Sequence, residues 1–263
     1  MKYLLILCLL VVLISCTKNE GETYTPNTSC ICSNLNISDN YTYPSAPPSK
    51  QWDSVFKIGG YNLAYQLYLQ VPTATANKMS SGGLIKSILD NPIMVSSFTS
   101  KNSWFLGRDS YLNPLFASWE LNKRTDAATA ILNYYTKYTP CCIDNIALTD
   151  TANRTAIAFK QNALEIICTQ DSLLNKFSSI ERKTFIRLVL DHAALKDNYP
   201  SFGKDRTSSA LLAAAIMRTD AYPPFKEELN NNQDLKNFVL GSMLTNNNSL
   251  ELIWYHAKRF ALN

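Results

Sequence analysis

The chain has 263 residues, a formal net charge of +4 and 46% hydrophobic residues, enough for one domain with a sizeable core. The small positive excess, without a basic cluster, excludes an electrostatic footprint for nucleic acid. The chain has only 8 glycines and lacks both G-x-x-x-x-G-K-[ST] and G-x-G-x-x-G, so a sheet-rich fold or a nucleotide cofactor has no support.

The first element is an apolar run from Tyr3 to Ile14, preceded by a single charge on Lys2. A helix of this length rises roughly 18 Å, less than the ~30 Å hydrocarbon core of a bilayer. The run therefore favours a cleaved signal peptide over a permanent membrane span. It ends Leu13-Ile14-Ser15-Cys16, which resembles the lipobox of bacterial lipoproteins.

The resemblance implies that residues 1–15 are a signal peptide and that Cys16 becomes the lipidated first residue of the mature chain. A diacylglyceryl thioether with an acylated amine places several acyl chains on one residue, which gives stable membrane anchoring. Thr17 stands where an aspartate would resemble the inner-membrane retention signal of enterobacterial lipoproteins. We therefore expect a lipid-anchored protein of the bacterial envelope at the outer membrane, either periplasmic or surface-exposed.

Residues 16–50 are rich in Thr, Asn, Ser and Pro, the residues of turns and loops. This composition predicts a disordered polar tether between the lipidated Cys16 and the folded domain. The only strands we expect form one short hairpin within residues 24–43.

From Trp52 onward the apolar residues recur at helical spacing, and period-two alternation is absent. The pair Gly59-Gly60 predicts a kink in a first helix over Trp52–Val71. Ser178 with Glu181 predicts a capping box, and Ser249 is expected to cap the last helix. The apolar positions of the remaining helices form the following stripes: Leu84, Ile85, Ile88, Leu89; Ala127, Ala128, Ile131, Leu132, Tyr135, Tyr138; Phe159, Ala163, Leu164, Ile167; Phe185, Leu188, Val189, His192; Ala210, Leu211, Ala214, Met217; and Leu250, Ile253, Trp254, Ala257, Phe260.

The stripes predict an all-α fold for residues 51–263, arranged as a single irregular helical bundle. A short array of helical repeats is the alternative, although no fixed repeat period is established.

The cysteines form two close pairs, Cys30 with Cys32 and Cys141 with Cys142, in a chain expected to be exported. Closing either pair on itself requires a strained small ring, so cross-bridges between the pairs are expected. Sequence does not choose between 30–141/32–142 and the crossed pairing. A four-thiolate zinc site is the alternative, but adjacent cysteines match the usual ligand spacing poorly. Cys168 is expected to be a buried free thiol.

The chain has two histidines, His192 and His256, and neither stands in a catalytic or metal-binding motif. We therefore assign no catalytic residue, metal ligand or cofactor site. The expected function is a non-enzymatic binding or scaffolding domain for a protein or glycan partner. The alternative is a hydrolase of envelope or extracellular polymers, which an enclosed pocket joining a histidine, a carboxylate and a hydroxyl would favour.

Overall fold

A computed structural model describes residues 23–30, 32–33, 35–44, 49–99, 101–203, 206–242 and 247–263. In these ranges the chain is all-α, without strands beyond one isolated bridge between Ser103 and Ser242. Two 3-10 helices, Pro140–Asn145 and Pro200–Phe202, lie between α-helices. The α-helices are α1 Lys50–Tyr68, α2 Thr73–Ala76, α3 Ser81–Leu89, α4 Met94–Thr99, α5 Trp104–Leu112, α6 Phe116–Lys123, α7 Ala127–Lys137, α8 Thr151–Cys168, α9 Asp171–Leu174, α10 Ser179–Lys196, α11 Thr207–Thr219, α12 Pro223–Asn231, α13 Gln233–Val239 and α14 Asn247–Leu262.

Helix α11 is the centre of the bundle and packs against α8, α10 and α14. Every residue from Thr207 to Met217 is buried, so the helix is enclosed on all sides rather than along one stripe. Its run of alanines at 213–215 leaves room for neighbouring helices to approach closely. The sequence predicted the helix and its small side chains, but predicted burial on only one face.

A second group of helices, α3, α6 and α7, packs beside this centre, and α4 packs on α5. The α4–α5 contact is close because Gly107 lacks a side chain: a Cβ there would lie 3.3 Å from the backbone of Phe98. The helices range from 4 to 19 residues in length, which matches an irregular bundle rather than a repeating helix pair.

Helix α1 folds back on itself at Gly60, whose φ of 67° is left-handed. The rings of Trp52 and Tyr68 are 6.3 Å apart, whereas a straight helix would separate these residues by about 24 Å along its axis. Two short helical arms therefore close around Trp52, which packs with Ala64 and Leu69 in a cluster separate from the main core. The predicted kink is confirmed, and at this point the chain reverses its direction.

The described residues within 23–44, which we call the strap, form neither helix nor strand and lie against the bundle. Their side chains Tyr24, Leu35, Ile37, Tyr41 and Tyr43 pack on the main core. The expected hairpin is wrong for these residues, because no backbone–backbone hydrogen bond joins one described strap residue to another and five of their side chains pack on the core. Part of the predicted tether thus lies on the domain.

The first turns of α10 and α14 test the two predictions of helix caps. The Ser178–Glu181 capping box is confirmed, with each residue bonded to the other's backbone. Ser249 is not a cap, since α14 begins at Asn247 and Ser249 lies buried in its first turn.

Candidate functional site

The strap is joined to the bundle where α7 ends. Cys30 pairs with Cys141 at an S–S distance of 2.13 Å, and Cys32 pairs with Cys142 at 2.10 Å. Both partners belong to the 3-10 helix that begins at Pro140. Of the two connectivities that the sequence left open, the structure contains the parallel arrangement.

A large cavity lies between the strap and the bundle. This cavity, which we call the cleft, is open to solvent and has a volume of about 520 Å³, within the usual range of ligand sites. The cleft is lined by Cys32, Ser33, Leu35, Asn36, Ile37, Lys86, Tyr138, Cys142, Asn145, Ile146 and Ile157.

A second opening, the side cavity of about 170 Å³, shares two lining residues with the cleft, Leu35 and Ile37. Its remaining lining comes from Gly82 and from α7, including Tyr134 and Lys137. The strap therefore lies between the cleft and the side cavity and forms a wall of both.

The charged group that lines the cleft is Lys86, which forms an ion pair with Asp90. Lys86 and Lys160 both contact its carboxylate. Burial alone would raise the pKa of Asp90, but the hydrogen bonds and charges of Lys160 and Lys86 hold it below its ordinary value. One carboxylate thus faces two ammonium groups, and a single positive charge remains uncompensated at this rim.

The far end of the strap is fastened by hydrogen bonds to α3. Asp39 accepts from the Ser80 backbone N–H at 2.5 Å and from the Ser80 hydroxyl at 3.0 Å. The Tyr41 backbone N–H donates to Ser87 Oγ at 2.8 Å, and the Tyr43 hydroxyl donates to the Ser87 carbonyl at 2.9 Å. The wall of the cleft is thus held covalently at one end and by hydrogen bonds at the other.

His192 lies far from solvent, with 3% of its surface exposed. Its ring stacks on Tyr135 at a centroid distance of 4.2 Å. Burial lowers the pKa of His192 to about 3, although the charge of Glu165 opposes this shift. The side chain is therefore a neutral packing element at neutral pH.

His256 lies on α14 among the rings of Tyr222, Phe225 and Tyr255. Its Nε2 is 3.8 Å from a carboxylate oxygen of Glu228. Burial lowers the pKa of His256, and Glu228 opposes the shift. Its Nδ1 is buried without a hydrogen-bond partner among the described residues, and the side chain lines neither the cleft nor the side cavity.

A buried polar cluster, which sequence reasoning missed, centres on Glu165 of α8. Its carboxylate accepts from Lys196 Nζ at 2.6 Å, from the Tyr135 hydroxyl at 2.7 Å and from the Ser208 hydroxyl at 2.5 Å. Ser209 also donates to it, at 2.9 Å from Oε1. Burial alone would raise the pKa of Glu165, yet Lys196 and these donors hold it below its ordinary value.

Lys196 completes the cluster with bonds to Asn162 Oδ1 at 2.9 Å and to Ser209 Oγ at 3.0 Å. A serine beside a lysine can act as nucleophile and base. Here, however, the side chains of Lys196 and Glu165 are 2% and 1% exposed, and no member of the cluster lines the cleft or the side cavity. The cluster therefore joins α7, α8, α10 and α11 rather than facing a substrate.

The predicted site residues fall into three groups. The four paired cysteines meet at the end of the cleft, while Cys168 is a buried free thiol whose pKa burial raises. Cys16, the expected lipid attachment residue, lies outside the described residues. Within the described ranges, no three His, Cys, Asp or Glu side chains converge as metal ligands, and no helix has the length and hydropathy needed to cross a bilayer.

Comparison with known proteins adds no relative: the chain matches no protein-family model, no curated protein and no solved structure.

Proposed function

We propose that this protein is a lipid-anchored envelope protein whose helical domain binds a partner in the cleft between the strap and the bundle. The observation that supports binding is the cleft itself, a solvent-open cavity of about 520 Å³. It combines aliphatic walls with a few polar groups, the usual composition of a ligand site. Anchorage rests on the lipobox that ends at Cys16.

The hydrolase alternative has weaker support. His192 is buried against Tyr135 and away from the cleft, and His256 meets a carboxylate without a hydroxyl nucleophile beside it. The Ser209–Lys196 contact has the chemistry of a nucleophile and base, but a substrate has no path to it through either cavity. Binding without turnover is thus the function that the geometry favours.

Site-specific photocrosslinking in intact envelopes tests this function. A benzophenone amino acid replaces exposed Asn145 in the cleft, and the matched control replaces exposed Lys57 on α1. We expect adducts from position 145 and none from position 57. Equal adducts at both positions, or none at position 145, would contradict the assignment of the cleft as the binding site.

A further inference from the structure

We propose that the cleft takes an extended peptide segment carrying acidic side chains next to aliphatic ones. This inference rests on the proposed function, that the cleft is the binding site, and goes further by naming the chemistry of the occupant. Three properties of the cleft support it: its aliphatic walls, the backbone of the strap and its charge.

The walls of the cleft include four aliphatic side chains. Leu35 and Ile37 of the strap face a cavity whose other side includes Ile146 and Ile157. Aliphatic side chains of a peptide would bury apolar surface against these four residues, whereas sugar hydroxyl groups placed against them would lose hydrogen bonds to water. One aromatic ring, that of Tyr138, lines the cleft, which provides little of the stacking surface that sugars use.

The backbone of the strap can also form hydrogen bonds with a bound peptide. Leu35, Ile37 and Ser38 take part in no backbone–backbone hydrogen bond with any described residue. An extended peptide binds such a segment by main-chain hydrogen bonds and places alternate side chains into neighbouring pockets. The side-chain amide of Asn145 on the opposite wall can both donate to and accept from a peptide backbone.

The positive charge that lines the cleft and the side cavity favours acidic over basic peptides. Among the described residues, Lys86 is the only charged side chain that lines the cleft, and Lys137 is the only one that lines the side cavity. No carboxylate lines either cavity among the described residues: Asp90 pairs with Lys86 and Lys160, and Asp39 accepts hydrogen bonds from Ser80. A glutamate or aspartate of the occupant would therefore meet Lys137 in the side cavity and, in the cleft, Lys86, whose partner Asp90 is shared with Lys160.

Direct binding measurements test this inference. Fluorescence anisotropy with the full-length lipidated protein in detergent would compare three labelled peptides: alternating Glu and Val, the same peptide with Gln for Glu, and the same peptide with Lys for Glu. An oligomer of glucuronic acid is the fourth probe. We expect the acidic peptide to bind about threefold to tenfold more tightly than the Gln peptide, and more weakly as salt rises.

Variants then locate the binding. Lys86→Gln and Lys137→Gln should each weaken binding of the acidic peptide by about twofold to fivefold, while the control Lys57→Gln on exposed α1 should leave it unchanged. Asn145→Trp fills the mouth of the cleft from an exposed position and should abolish binding without disturbing the core.

The possible outcomes separate this inference from the proposed function. If the glucuronic acid oligomer binds, the peptides do not, and Asn145→Trp removes the binding, the peptide inference is wrong and the cleft remains a binding site. Equal affinity for all three peptides overturns the acidic selectivity. If no probe binds, the peptide inference is overturned, and the crosslinks at position 145 then decide the proposed function by themselves.

Discussion

Replacing Glu165 by glutamine should be among the most destabilising single changes in this protein. The substitution keeps the shape of the side chain but removes the charge that faces Lys196 across 2.6 Å. Because the lysine is 2% exposed, water cannot take the place of the carboxylate. The ammonium group is then left buried without the carboxylate, beside neutral partners that include Asn162 and Ser209.

The expected loss follows from this geometry. Breaking a buried ion pair by removing one partner costs about 3–5 kcal/mol, because the other charge remains desolvated. Domains are stabilised by only about 5–15 kcal/mol in total, so the loss is a large part of the whole. An exposed ion pair behaves differently: Asp171, paired with Arg218 and 67% exposed, should contribute at most about 1 kcal/mol.

Urea unfolding followed by far-UV circular dichroism, with the disulfides kept oxidised, measures both changes in the free energy of unfolding. We expect Glu165→Gln to lower it by about 3–5 kcal/mol and the control Asp171→Asn to lower it by less than about 1 kcal/mol. A loss below about 1 kcal/mol for Glu165→Gln would refute the reasoning, because a sealed ion pair cannot be broken at so small a cost.

Four further predictions concern other parts of the molecule. The pKa of His192 is about 3 in the folded state and about 6.5 in the unfolded state, so its contribution to the free energy of unfolding is fully present above pH 6.5 and falls by roughly 2.5 kcal/mol by pH 4.5. Denaturation at several pH values should show a weaker dependence of stability on pH for His192→Phe, and an unchanged dependence would contradict the shift. Metabolic labelling with a fatty acid should mark the protein and fail for Cys16→Ala, so a labelled variant would exclude the lipid anchor there. Non-reducing peptide mapping should recover two bridges between the strap and the 3-10 helix after α7, whereas free thiols or bound zinc would disprove them. Ala221, at a φ of 51° directly after α11, should gain about 0.5–1 kcal/mol of stability on replacement by glycine, and a loss of thermal stability would contradict that view.

The helices were predictable because their determinants are local. The capping box at Ser178 and the apolar stripe of Ala127–Tyr138 involve residues three or four positions apart, whose contacts a single helix fixes. The fold-back of α1 was only partly foreseen. Gly59-Gly60 marks where the backbone can turn, but the ring contact between Trp52 and Tyr68 sets how far it turns.

The Glu165 cluster could not be predicted for the opposite reason. Its members come from four helices, and Glu165 and Lys196 are 31 residues apart in sequence. The one local sign is a glutamate inside the apolar run Ala163-Leu164-Glu165-Ile166-Ile167. Such a sign shows that a charge will be buried, but the identity of its partner depends on which helices meet in three dimensions.

The cleft shows how a local and a long-range determinant combine. Cysteine spacing indicated that the segment near Cys30 would be joined to the loop after α7. It did not indicate that Leu35 and Ile37 would form a wall between the cleft and the side cavity. The described strap residues make no backbone–backbone hydrogen bond to the bundle, so the strap is held by its two disulfides, by side-chain hydrogen bonds such as that of Asp39, and by side-chain packing. A bridge that closes a loop of about 110 residues can contribute as much as ~4–5 kcal/mol to stability in the chain-entropy model, whereas a single hydrogen bond contributes about 0.5–1.5 kcal/mol. Because Cys32 and Cys142 line the cleft and fix the strap beside it, the bridges shape this cavity, whereas the apolar stripes of the helices contain none of the four paired cysteines.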